Sequence, residues 1–173
     1  MLRRAHIIHL RRRLGAFARA EEGAALVEFA MVLPMMLLVF AVIIEGSRTM
    51  SAYQSAIGGV RDATRYLARV APGNICATGG SVAGHTTKLL SIVGQSTTGG
   101  AFLPGAVTVQ SVTPALACVG AAGTYRVSPA PVVTVSAVVR IDFPFGTLLS
   151  FFGGQAAGSV TTTVSDTAKV FGA

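Results

Sequence analysis

Gly23 to Ile44 is a run of 22 residues with a single charged side chain, Glu28. As a helix it measures roughly 33 Å, enough to cross the ~30 Å hydrocarbon core of a bilayer. This run narrows the folds open to the chain. One membrane-spanning helix lies near the start, and the residues after it must fold on one side of the membrane. A carboxylate inside such a span is costly, so Glu28 marks a functional position whose partner must be sought.

The flanks set the orientation. Residues 1–19 carry Arg3, Arg4, Arg11, Arg12, Arg13 and Arg19 and no acid. After the span, Arg48 is the only base before Arg61. The arginine excess holds the N-terminus in the cytoplasm and places residues after about 46 outside.

Three readings of this start compete. An ordinary secretory signal has an apolar region of about 7–15 residues and then a small-residue cleavage site. Here the run is longer, and no Ala-x-Ala site follows it before Glu45. A plain uncleaved anchor accounts for the length and the arginines but not for the position of Glu28. The third reading is a class III prepilin-type leader: a basic stretch, a glycine, four small or apolar residues, then Glu and an aromatic.

Gly23-Ala24-Ala25-Leu26-Val27-Glu28-Phe29 carries that third pattern. It resembles the processing site of the TadE-like pseudopilins, components of tight-adherence (Flp-type) pilus machines. The next residues, Ala30-Met31-Val32-Leu33-Pro34-Met35, are similar to the same family's opening, proline included. The resemblance continues through Ile44-Glu45-Gly46-Ser47-Arg48 and Arg61-Asp62-Ala63-Thr64-Arg65-Tyr66 and covers roughly residues 20–70.

The resemblance implies a membrane-embedded prepilin peptidase that cuts between Gly23 and Ala24. Glycine offers such an enzyme an unhindered backbone. The new Ala24 ammonium and the Glu28 carboxylate would lie four residues apart on one helix face. In filament-forming relatives this carboxylate, beside Phe29 here, neutralises the N-terminal amine of a neighbouring subunit. The resemblance also implies partners: the peptidase, sister pseudopilins, the major Flp-type pilin, inner-membrane platform proteins and the lipid bilayer. No cofactor is implied.

The net charge of +7 is not a nucleic-acid signature. The leader supplies six of the 14 bases, and the eight that follow are scattered with no aromatic-interleaved stripe. The outer part is poor in charge and rich in Gly, Ala, Ser, Thr and Val, which suits an extracytoplasmic β-rich domain. Cys76 and Cys118 both follow the span. Outside the cytoplasm two thiols in one small domain pair. The closed loop of about 40 residues would be worth on the order of 4 kcal/mol in the chain-entropy model. Two buried free thiols are the alternative. With His85 the one histidine beyond the leader and no Cys-x-x-Cys, a metal site is not expected.

The helix is expected to continue past the membrane to Val70, where Pro72-Gly73-Asn74 ends it. Pro34 should kink it or leave a carbonyl unpaired. Gly58-Gly59 reads as a weak point. Met50, Tyr53, Ile57, Val60, Thr64, Leu67 and Ala71 follow steps of three and four and predict the buried face. Arg61, Arg65 and Arg69 fall on another face, either solvated or a contact surface for another subunit.

Further on, residues 73–84 read as loop, Thr86–Val93 as a short helix and residues 94–105 as loop. Ala106–Thr113 alternates as a strand closed by Pro114. Cys118–Gly123 reads as a turn and Thr124–Val127 as a short strand. Val132–Phe143 is the strongest strand, β-branched nearly throughout. Ser159–Phe171 reads as the last. Phe143, Phe145, Leu148, Leu149, Phe151 and Phe152 form an apolar cluster, either core or a patch meeting membrane or partner.

The expected fold is therefore α+β and pilin-like: a long N-terminal helix packed on a small antiparallel sheet of three or four strands. The expected organisation is a basic leader over 1–23, a transmembrane helix over 24–46, its amphipathic continuation over 47–71 and an extracytoplasmic β-rich domain over 72–173. No base sits beside a nucleophile, and the Gly-rich stretches lack the Lys-Ser/Thr ending of a phosphate loop, so no enzyme is expected. The function implied is a pseudopilin; the alternative is an uncleaved single-pass protein with an outer binding domain.

Overall fold

The computed structural model describes residues 21–95, 107–120, 122–123, 128–143, 146 and 158–172, the side chains of 21 and 22 excepted. The expected strand at 124–127, the loop tips at 99–105 and all of the Phe/Leu cluster except Phe143 fall outside these residues. Two compact units divide the chain between Ile44 and Glu45.

Within the first unit the described residues form one helix, the opening of α1 (Glu21–Val70). Its apolar side chains are bare, with Leu26, Phe29, Met31, Met35 and Phe40 all more than half exposed. An 18-residue window in it reaches a mean hydropathy of 2.6 with none of it buried. Water does not tolerate such a surface, whereas a bilayer does, so α1 is consistent with a single-pass membrane protein. The helix runs without a break through Pro34. Proline has no N–H, so the Ala30 carbonyl loses its usual donor four residues on.

The second unit, Glu45–Ala173, is built on the rest of α1 and a three-stranded sheet. After α1 come α2 (Ile75–Thr78), a 3-10 turn (Ala83–His85) and α3 (Thr86–Gly94). The strands are β1 (Val107–Val119), β2 (Ala130–Asp142) and β3 (Ser159–Lys169), in spatial order β1-β2-β3 and antiparallel throughout. Two short helical pieces thus stand within the stretch 73–84 that reads as loop. Their lengths of four and three residues are too short for periodicity to reveal.

Central β2 explains the sheet. Pro131, Val133, Val135, Ala137, Val139 and Ile141 alternate inward and are all buried. Each buried valine contributes about 1.5–3 kcal/mol. β1 meets this face through Val107 and Val109, then through Val112, Pro114 and Leu116. The parity changes because the register slips between Val109 and Ser111. One extra residue, Gln110, keeps both stretches facing the core, where an unbroken register would turn one of them outward.

Pro114 does not close β1. The strand runs five residues beyond it, and Cys118 belongs to the strand instead of a turn. β1 is an edge strand, and a missing N–H on the free side breaks no ladder bond.

The buried face of α1 keeps Val60, Thr64, Leu67 and Ala71 of the expected one, with Ile57 packed against it, but not Met50 or Tyr53. Met50 is 59% and Tyr53 38% exposed. The face in the core is Ala52, Ala56, Gly59, Val60, Ala63, Thr64, Leu67 and Ala71. Small residues at this spacing let the helix lie close to its neighbours, which bulkier ones at 50 and 53 would prevent. Gly59 shows how close. A Cβ built there would stand 2.8 Å from the carbonyl oxygen of Val93 in α3. Gly59 is therefore a contact point, and the helix runs through the Gly58-Gly59 pair without a break. Thr64, the one fully buried polar residue among the described residues, donates its hydroxyl to the Val60 carbonyl at 2.8 Å.

The end of the chain caps α1. The Phe171 N–H donates to the Ala68 carbonyl at 2.9 Å, satisfying an acceptor that the last helical turn leaves open. Gly172 follows at φ +74°, with its Cα packed toward Gly73. Cys76 and Cys118 are disulfide-bonded, with Cα atoms 5.8 Å apart, tying α2 to β1.

Candidate functional site

The residues that the sequence singles out lie mostly along α1. Gly23 and Ala24 stand in its first turn, because the helix begins at Glu21. Ala24, Glu28 and Phe29 are exposed, and Phe29 retains 57% of its surface. Four residues of helix separate Ala24 from Glu28 by about 6 Å along the axis. Neither ion pair among the described residues involves Glu28. The carboxylate thus projects from an apolar helix with no ion-pair partner among the described residues.

Arg61, Arg65 and Arg69 are all exposed, opposite the buried face. Arg65 reaches Asp62 at 3.8 Å with both side chains well over half exposed. Such a pair is worth about 0–1 kcal/mol, so three guanidinium groups remain available to a partner. Cys76 is half-buried against the core, while Cys118 is exposed on β1.

The strand acids do not meet. Asp142 lies opposite Ser159 and Asp166 opposite Val135, seven positions apart on β3. Asp142 instead accepts from Arg140 Nε at 2.9 Å. His85 sits in the 3-10 turn, its backbone N–H donating to Val82. Among the described residues no three His, Cys, Asp or Glu side chains converge to hold a metal.

A further feature, in the second unit, was not singled out by the sequence. Glu45, Arg48 and Ala52 of α1 line a cavity of about 300 Å³ together with Val107, Ile141 and Asp142 of the sheet. Glu45 Oε2 is itself buried, out of reach of solvent, and has no hydrogen-bond partner among the described residues. The sequence shows a carboxylate immediately after the apolar run and a guanidinium one helical turn on, but not the strand residues that close the cavity around them.

The family described as TadE-like protein has a model that matches residues 23–65. No curated protein and no solved structure matches the chain. The matched residues include the glycine, the exposed Glu28-Phe29 pair and most of the face that α1 buries, so over residues 23–65 the chain is similar to the TadE-like proteins.

Proposed function

We propose that the chain is a non-catalytic pseudopilin of a tight-adherence pilus or secretion machine. It sits in the bacterial inner membrane with its N-terminus in the cytoplasm and its second unit outside. A prepilin peptidase removes residues 1–23, freeing the Ala24 ammonium. Glu28 then answers the amine of a neighbouring pilin-type helix inside the membrane, where an isolated charge is costly. The outer sheet and the Arg61, Arg65 and Arg69 face meet sister pseudopilins, the major pilin or platform proteins.

The observation that carries this reading is the TadE-like match lying on an exposed apolar run whose single acid, Glu28, has no ion-pair partner among the described residues. The test is Glu28→Ala in a piliated host. The expected variant is cleaved normally but fails to support pilus assembly. Full piliation by that variant would remove Glu28 from the mechanism.

One observation favours a second reading, the uncleaved single-pass protein. α1 already includes Gly23, so the peptide bond to be cut lies inside a helix. A protease would have to unwind that turn first. The two readings separate on the mass of the membrane form.

A further inference from the structure

β3 is the last strand of the sheet, and no described strand lies beyond it. The Val170 N–H donates to the Pro131 carbonyl at 2.9 Å, and the Phe143 N–H to the Gly158 carbonyl at 3.0 Å. Both pairs continue the β2–β3 register. Bonded pairs recur at every second residue of an antiparallel ladder, so the even-numbered residues of β3 bond to β2. The N–H and C=O groups of Ser159, Thr161, Thr163, Ser165, Thr167 and Lys169 therefore face the free edge. All of these residues are exposed.

The opposite edge is guarded. β1 carries Pro114 and the bulge at Gln110, two devices that discourage strand addition. β3 has no proline, and its register with β2 is unbroken. Its two charges, Asp166 and Lys169, join no ion pair among the described residues.

We propose that the free edge of β3 binds an extended segment of a different polypeptide, which joins the sheet as a further antiparallel strand. That segment carries an acid opposite Lys169 and, three residues on, a base opposite Asp166. A second copy of this chain does not fit. In a bonded antiparallel pair, residues whose backbone groups face the shared edge oppose one another. Lys169 is one of these and Asp166 is not, so two β3 strands that bond never set one against the other. β1, the other edge strand, has no charged residue. The proposal rests on the pseudopilin reading and names the contact through which the sheet meets its partner.

The test is made in piliated cells, with amide exchange of β2 in the detergent-solubilised chain as the check on folding. Thr163→Pro removes an edge-facing N–H and no bond to β2, so the fold should survive, as β1 tolerates Pro114. Piliation should fall about tenfold, the effect of losing one or two net hydrogen bonds. Thr163→Val keeps the N–H and should assemble normally. Asp166→Lys sets like charges against each other and should lower piliation as well. Normal piliation by a folded Thr163→Pro or by Asp166→Lys overturns the proposal, the second because charges that merely guard a bare edge can be reversed without loss. A Thr163→Val chain as defective as the proline variant also overturns it. If Thr163→Pro does not fold, Thr161→Pro makes the same removal at the preceding edge-facing N–H, and Asp166→Lys reads independently of both. A strain lacking the chain separates this site from the reading beneath it. Normal piliation there removes the pseudopilin role, whereas normal piliation with Thr163→Pro alone removes only the edge.

Discussion

Two glycines in one helix should respond to the same substitution with opposite signs. Gly46→Ala adds a methyl where nothing lies within 4 Å. It replaces the poorest ordinary helix former by the best and should stabilise the second unit by up to about 1 kcal/mol. Gly59→Ala receives the same propensity gain. Its Cβ, however, falls 2.8, 3.2 and 3.4 Å from the O, Cα and C of Val93, all backbone atoms. No side chain can rotate away, so α3 must move by about half an ångström. Overpacking of this kind costs about 1–3 kcal/mol. With only backbone in the way the upper part of that range applies, leaving about 1–2 kcal/mol of net destabilisation. Amide exchange of β2 in the detergent-solubilised chain reads the difference, since core-strand amides report opening of the whole unit. Gly59→Ala should speed that exchange by about five- to thirtyfold, and Gly46→Ala should slow it by up to about fivefold. Exchange in Gly59→Ala at or below the wild-type rate would refute the packing of α3 on α1.

The Cys76–Cys118 bond closes a loop of sequence separation 42. Cys76→Ser with Cys118→Ser should cost about 4 kcal/mol, read as the loss of β2 exchange protection. Equal protection with and without the bond would contradict the entropic argument. Arg61→Ala, Arg65→Ala and Arg69→Ala combined should leave the far-ultraviolet circular dichroism spectrum unchanged, because all three side chains are exposed and only a weak pair is lost. If that face meets a partner, the triple variant reduces piliation at normal protein levels; unchanged piliation would mark the face as merely solvated.

The architecture was legible where one physical signal dominated. Apolar length gave the opening of α1, and Pro72-Gly73-Asn74 placed its end at Val70. The β-branched run gave β2 as a strand, within two residues at either end. The errors came from reading residue size and local breakers without their tertiary setting. Met50 and Tyr53 are the bulkier residues, but the core takes the alanines and Gly59, because close approach decides which face is buried. Pro114 breaks a central strand but not an edge strand, and edge position is not visible in sequence. α2 and the 3-10 turn are shorter than the period that would reveal them. The Gly23-x4-Glu28-Phe29 pattern is visible in the sequence alone. The Glu45 cavity is not, since it depends on Val107, Ile141 and Asp142 arriving from two strands far along the chain.

The intact mass of the chain purified from its native membrane tests the account most directly. Loss of residues 1–23, leaving Ala24 as the first residue, is the predicted result. A full-length species beginning at Met1 in cells that assemble normal pili would contradict it.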